Sequence, residues 1–475
     1  MAAAPPLWTA ADAAAATGGT AGGSWTASGV SIDSRTVQPG DLFTAIEGPN
    51  FDGHDFVRQA LQSGAVAALV SRVPAEPVNG DFLLTVGDTL RALGDLGQAG
   101  RKRSEGTIIG VTGSVGKTGV KEALAFLLGC QKETHFSTGS FNNRFGVPLS
   151  LARLSPSAAY GVFELGMNHA GELAELSNLV RPNVAVITTV EVAHLEFFAS
   201  LADIARAKSE IFTGLEPDGI AVLNRDNPYF DLMAEAARAA DAEIITFGRH
   251  DDARFRVVQS EAAGAGSDVE AMADGKRISF HLPLPGDHWV ANALAVLAVL
   301  AAAGGDLKQA ADDISGLKPA KRRGERHQVR FAGMCFEIID DSYNASPAAV
   351  AAALSVLGQS APGPSGRRIA VLGDMLELGG DSPALHQALK DDVDASAIDL
   401  VFAVGTQMKF LFDAVAPERR GGWAETAQEL APVILASVHS GDVVLVKGSA
   451  GTRMGQIADA LRNLDSNSVR MAGGR

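Results

Sequence analysis

"GTIIGVTGSVGKTGVKEALAFLL", Gly106 to Leu128, is the stretch on which the reading of the fold turns. Thr107–Val111 is short, apolar and β-branched, as a buried strand is. Thr112 to Thr118 make a glycine turn, and the residues beyond it carry a helical pattern. A strand, a glycine turn and a helix with lysine at the junction build a phosphate-binding loop. The glycines let backbone N–H groups approach phosphate, and the helix presents its positive end. The long form of this loop places its first glycine where this chain has Val111. The loop is therefore a shortened form, Gly113-x-x-Gly116-Lys117-Thr118, and Gly110 belongs to the strand. Lys117 is placed to reach the β- and γ-phosphates, and Thr118 offers a hydroxyl to Mg²⁺. A plain strand–helix turn with a surface lysine is the alternative; the flanking strand and helix together argue against it. Gly119 follows early in the helix, where glycine costs roughly 1 kcal/mol against alanine, and nothing in the sequence accounts for it.

Outward from this loop, strands and helices alternate. "YGVFELG", "NVAVITTV", "GIAVLNRDN" and "AEIITFG" read as further strands, with helices such as "SLADIARAKSEIF" between them. That is an α/β pattern with a mostly parallel sheet. Residues 254–284 read as antiparallel strands, and "HWVANALAVLAVLAAAGG" as a long helix ending at a glycine pair. The first hundred residues hold short strands, turns and a helix around "TLRALGDLGQAGRKR". "CFEIIDDSYNASP", "RRIAVLGDM", "DLVFAVG" and "DVVLVKGSAG" form a third α/β unit. The expected domains are residues 1–105, 106–318 and 319–475, in keeping with a length of 475 residues.

Bulk composition excludes more than it selects. A net charge of -15 argues against a nucleic-acid binder, which carries a basic stripe. No apolar run reaches the ~18 residues of a membrane span, and the N-terminus lacks the basic start of a signal peptide. Cys130 and Cys335 offer neither a disulfide framework nor a zinc spacing. They read as small buried thiols in a reducing, cytoplasmic setting.

Ligands of parallel sheets gather at the carboxyl ends of strands. Glu164 closes "YGVFELGMN", and His194 lies in "VEVAHLEFF" after another strand. A carboxylate there suits Mg²⁺, which takes oxygen ligands. Alone, Glu164 reads equally as a solvated strand end and His194 as a loop histidine. Beside a Gly-Lys-Thr loop in the same sheet, the functional reading gains. Lys208 and Asn292 are, by spacing alone, ordinary helix residues, and "DDSYNASP" is a turn with local hydrogen bonding. Together these groups favour phosphoryl chemistry without naming the acceptor.

The motifs as a set resemble the Mur ligase family. The resemblance rests, in chain order, on "DSRTVQPGDLFTAIEGPNFDGHDF", "TGSVGKTGVKE", "FELGMN", "AHLEFFASLADIARAKSEIF", "GDHWVANALA", "DDSYNASP", "LGDMLELG" and "VKGSAGTRM", nearly the whole chain. Within the family, "DDSYNASP", "SFNNRFGVPLSL" and "AHLEFF" resemble the branch that joins D-alanyl-D-alanine to UDP-N-acetylmuramoyl-tripeptide. The resemblance implies a UDP-substrate domain, a central ATPase domain and a C-terminal Rossmann-like domain that closes over the site. It implies ATP and two Mg²⁺ as cofactors, a monomer, and a reaction through an acyl phosphate.

The resemblance also implies roles. Thr112, Gly113, Ser114, Val115, Gly116, Lys117 and Thr118 would cradle the phosphates. Thr118 and Glu164 would hold one Mg²⁺, and His194 and a carbamylated Lys208 the second. Lys117, Glu164, His194 and Lys208 make up the implied catalytic set. Asn292 would contact adenine, and Arg326 and Asp341 would reach ATP from the third domain, with Arg323 a rival for the arginine because "KRRGERH" offers both. Ser34 and Arg35 would contact the UDP-sugar, and Asn142 and Asn143 the muramoyl-peptide. Two departures stand out: Gly119 where the family has Ser or Thr, and Ser346 where it has asparagine. The rivals are the ligase that adds the third amino acid, a folylpolyglutamate synthase-like ligase, and a nucleotide-binding protein without turnover. "RDNPYF" echoes the Asp-Asn-Pro motif of the third-residue ligase, but it lies in the central unit rather than the last one.

Overall fold

The computed structural model describes residues 6–48, 51–74, 76, 78–193, 195–264 and 266–472, with side chains described to residue 465. Its main sheets lie one after another along the chain. The first has five strands in the order Thr20–Ala21, Leu83–Thr85, Ala67–Val70, Asp41–Thr44 and Gly29–Ser31. The helix Thr89–Arg103 follows, with Asp88 accepting from the Arg91 N–H at its start and Arg101, Lys102 and Arg103 in its last turn. Both ends suit the helix dipole.

The second sheet has nine strands. Thr107–Thr112 lies between Tyr160–Glu164 and Val184–Ile187, parallel to both. The chain therefore leaves this strand to one side and later returns to the other, which opens a crevice at the strand ends. Parallel pairing continues through Ile220–Asn224, Glu243–Gly248 and Phe255–Ala263. Gly266–Ala273 and Lys276–Leu282 then add antiparallel strands, as the pattern over 254–284 predicts. Both faces of this sheet are covered. Helices Lys117–Gly129 and Asp287–Ala302 build one apolar core; Gly146–Ala152, Glu172–Val180, Leu201–Ser209 and Phe230–Ala239 build the other. The helix Asp287–Ala302 is apolar nearly all round because it is buried nearly all round. Each fully buried Leu or Val in it contributes ~1.5–3 kcal/mol.

The third sheet runs Glu325–Phe331, Met334–Asp341, Val443–Lys447, Arg368–Gly373, Leu400–Val404 and Arg420–Ala424. Its first pair is an antiparallel hairpin and the rest are parallel. The molecule is thus an α/β protein with three main sheets, beside a two-stranded antiparallel ladder of Trp8–Thr9 and Thr26–Ala27. One expectation is overturned: both cysteines are exposed. Cys130 sits just past the end of its helix, and Cys335 occupies an outward position on its alternating strand. Among the described residues no helix is long and apolar enough to cross a membrane.

Candidate active site

A cleft of about 720 Å³ opens where the central and third sheets face each other. Its floor is the phosphate loop. Gly113 and Gly116 have φ of +148° and +89°, which side-chain-bearing residues rarely adopt. A Cβ on Gly113 would also lie 1.9 Å from the Thr188 hydroxyl. The neighbouring strand end pins the loop: Thr189 O accepts from the Ser114 N–H at 2.8 Å, and Thr188 Oγ1 donates to Val115 O at 2.5 Å. Ser114 Oγ donates to Glu191 O at 2.9 Å. Ser114 to Thr118 line the cleft, while Thr112 and Gly113 are buried beneath it.

Lys117 Nζ donates back to Gly113 O at 2.7 Å, closing the loop around its own ammonium. Burial pulls its pKa below the usual lysine value; Glu164 opposes this, and the Arg323 guanidinium adds to it. Arg323 is therefore within electrostatic reach of Lys117 from the third unit.

Glu164 is 1% exposed. Thr118 Oγ1 donates to its Oε2 at 2.8 Å, and Asn142 Nδ2 to its Oε1 at 2.7 Å. Among the described residues it forms no ion pair. A buried carboxylate beside a hydroxyl, facing a cleft and lacking a bonded countercharge, is a donor set that fits Mg²⁺. Lys208 lies in the helix Leu201–Ser209, 2% exposed. Burial drives its amine well below the ordinary lysine pKa, and the Lys117 charge pushes the same way. A lowered amine pKa favours the neutral form, which carbamylation requires. His194 lies outside the described residues.

Across the cleft, Lys447 Nζ donates to Asp341 Oδ2 and to Asn344 O at 2.7 and 2.9 Å. Asp341 thus lines the site, held by a buried lysine to which the sequence reading gave no role. Arg326 does not reach the site. It pairs with Glu337 and with Ser360 Oγ, both at 3.0 Å, while Arg323 lines the cleft with its guanidinium 4.0 Å from the Tyr343 ring centroid. The reason is local: Arg326 is held in the hairpin strand, opposite Ile339, whereas Arg323 stands in the turn before it. Asn292 lines the cleft, with its amide near Gly116.

The remaining expected contacts lie elsewhere. Asn143 Oδ1 accepts from the Phe145 and Gly146 N–H groups at 3.1 and 3.0 Å, which makes it a turn-former at a helix start. Ser34 and Arg35 sit in the first unit, engaged with Gln59 and Asp33, and neither lines the cleft.

Three further supporting residues carry no signal of that role in the sequence. Lys121, fully buried, donates to Ser137 O and Gly139 O, both at 2.7 Å, and so braces the segment leading to Asn142. Asn227 donates to Thr189 Oγ1 and Val190 O, both at 3.1 Å, which is what "RDNPYF" does here. Trp289 approaches Gly119: a Cβ added there would lie 2.8 Å from indole Cη2. That explains the glycine. Its signal was its own cost; the partner, in another helix, was not legible. A further group, Glu325, His327 and Asp340, brings ligand atoms within 4.8 Å of one another. Arg462 Nη1 lies 3.3 Å from His327 Nε2 and 3.7 Å from Asp340 Oδ2, so an arginine already supplies the countercharge there.

Comparisons with known proteins agree with this geometry. Three family models match: the Mur ligase family catalytic domain over residues 26–90, the Mur ligase middle domain over 111–300, and the Mur ligase glutamate ligase domain over 322–450. The UDP-N-acetylmuramoyl-tripeptide–D-alanyl-D-alanine ligase of Escherichia coli is 35% identical over 435 residues, covering 91% of this chain and 93% of that one. The crystal structure of MurF from Acinetobacter baumannii superposes with a TM-score of 0.82 at 31% identity, covering 97% of this chain and 99% of that one. MurF ligase from Thermotoga maritima, solved in complex with ADP, gives a TM-score of 0.76 at 28% identity, covering 93% and 98%. Likeness of this extent, running through all three sheets and both walls of the cleft, makes this chain a member of the Mur ligase family.

Proposed function

We infer that the chain is an ATP-dependent ligase that joins D-alanyl-D-alanine to UDP-N-acetylmuramoyl-tripeptide, in the building of the peptidoglycan precursor. The single observation that carries this reading is the 35% identity, over nine-tenths of both chains, to a relative named for that reaction. The ADP-bound relative supports a nucleotide in the cleft.

A carboxylate is a poor electrophile, and hydroxide leaves poorly. ATP converts the terminal carboxylate of the tripeptide into an acyl phosphate, and ADP departs. The amine of D-alanyl-D-alanine attacks the acyl carbon, a tetrahedral intermediate forms, and phosphate leaves with the amide bond made. Lys117 and the loop N–H groups stabilise charge on the transferring phosphoryl group. Arg323 approaches the same region from the third domain, and Asp341, held by Lys447, orients the nucleotide there. Mg²⁺ would be held by Thr118 and Glu164, and a second ion by His194 and carbamylated Lys208; bound there, the ions neutralise phosphate charge. Ser34 and Arg35 are proposed for the UDP end, with Asn142 near the peptide. ATP demand suits the cytoplasm, and a monomer is the simplest assembly.

The test mixes the protein with ATP, Mg²⁺, the UDP-muramoyl-tripeptide and D-alanyl-D-alanine. Phosphate release is expected only when both acceptors are present. Release with a single amino acid in place of the dipeptide would overturn the reading in favour of another branch.

A further inference from the structure

Trp289 and Gly119 make a complementary pair across the wall of the cleft. The indole lies in the first turn of the helix Asp287–Ala302, and Gly119 in the first turn of the phosphate-loop helix. Added at Gly119, a Cβ would meet Cη2, Cζ2 and Cζ3 of the ring at 2.8, 3.3 and 3.6 Å. The outer rim of the six-membered ring therefore abuts the glycine. Only a residue without a side chain admits the indole in this position, which is reason enough for the ~1 kcal/mol that glycine costs in a helix.

The ring packs on the edge of the central core without being enclosed by it. Trp289 is only partly buried and lines the same cleft as Lys117 and Asn292. Its N–H makes no hydrogen bond to a described residue. Leu284 and Pro285, with Ala349, Ala352 and Val356 of the third domain's helix Pro347–Gln359, line the same cleft. The cleft thus has an apolar section with an aromatic ring in it, the phosphate loop at one end and a carboxamide beside it. A flat heteroaromatic ring tethered to a polyphosphate matches that set. Aromatic side chains hold bases by stacking, worth a sizeable and sequence-tolerant share of binding.

We propose that Trp289 is a nucleotide-binding residue of this chain that packs against the purine, and that Gly119 is retained to seat it. The proposal rests on the reading of the cleft as an ATP site. It assigns the pair a role in affinity for the base, separate from the grip of the loop on phosphate.

Isothermal titration of the full chain with ADP and, separately, with inorganic tripolyphosphate tests this. Trp289→Ala is expected to weaken ADP roughly five- to a hundredfold and to leave tripolyphosphate unchanged. Gly119→Thr is expected to weaken ADP in the same way by displacing the ring, although it restores a hydroxyl-bearing residue. ADP should alter the indole emission of the wild type, and this response should vanish in Trp289→Phe, which keeps an aromatic ring and so guards against a folding defect. Unchanged ADP affinity in Trp289→Ala, or equal loss of ADP and tripolyphosphate, overturns the proposal. A wild type that binds no ADP removes the nucleotide reading itself, and this proposal with it; binding without any contribution from Trp289 removes only the proposal.

Discussion

The central domain meets its two neighbours in opposite ways. Its contact with the first domain sets cations on carbonyls. Arg101 of the first domain donates to Val180 O and Arg181 O, both at 2.8 Å, Arg103 donates to Leu154 O at 3.3 Å, and Arg153 of the central domain donates to Val30 O at 2.5 Å. Trp8 Nε1 donates to Ala152 O at 2.9 Å, and Leu149 and Ala152 enter the apolar core of the first domain. A Cβ on Gly100 would lie 2.3 Å from Leu151 O, so the two helices touch backbone to backbone. Toward the third domain it faces charge across open space: Lys117 and Glu164 on its own side, Arg323, Asp341 and Lys447 on the other. Among the described residues direct bridging there includes the Glu196 N–H donating to Glu377 O at 3.2 Å. One interface spends its polar groups on each other and gains stability. The other keeps them for a ligand.

The largest expected effect tests the ligand side. Lys117→Ala should lower kcat/KM at least ~10³-fold, since a charge aimed at the transferring group is removed, while circular dichroism and melting stay near wild type. Near-normal turnover would sink the phosphate-loop assignment.

Next come the two arginines of the third domain. Arg323→Ala should lower kcat/KM by about 30- to 100-fold without a change in Tm, as loss of a charge near the nucleotide does. Arg326→Ala should cost less than about threefold in kcat/KM, and about 1 kcal/mol in stability, because its partners are Glu337 and Ser360. The reverse ranking in steady-state kinetics would return the role to Arg326.

On the stable side, Arg101→Ala leaves two carbonyls and Glu216 short of a donor. A loss of ~2–3 kcal/mol is expected, read by urea unfolding, with KM for ATP unchanged. A shift in KM would mean that this interface is not merely a platform.

The smallest effect concerns the cost of keeping Lys208 buried. Its folded pKa is depressed well below 10.5, so between that value and about 10.5 the unfolded chain binds a proton that the folded chain refuses. Stability therefore rises with pH through that window. Lys208→Met should raise Tm by a few degrees at pH 7 in CO₂-free buffer, with the gain shrinking toward pH 10.5. A gain that does not vary with pH would show that the amine pays no protonation cost there.

Legibility followed distance along the chain. The strand Thr107–Thr112, the turn and the helix Lys117–Gly129 were readable because their signals are local: β-branched runs, turn glycines and a helical period. Glu164 was readable as a strand end, and the structure joins it to Thr118. Residues that act through another element were not. Lys447 lies in a valine-rich strand where nothing marks its charge as paired with Asp341. Nothing in the helical pattern sets Lys121 apart; its partners come from the segment Ser137–Gly139, which crosses over it. The cysteines failed for a related reason: an apolar neighbourhood in sequence does not say which face of a strand, or which side of a helix end, a residue takes.

By itself, the sequence determined the α/β class, the shortened phosphate loop, and the family to which the whole set of motifs points. Those rest on local geometry and on residue types whose chemistry is the same wherever they stand. Only the tertiary structure decided which arginine faces Lys117, which lysine holds Asp341, and why position 119 is glycine. Each of those depends on a contact between elements far apart in the chain, and no periodicity carries that information; close packing of the folded chain creates it.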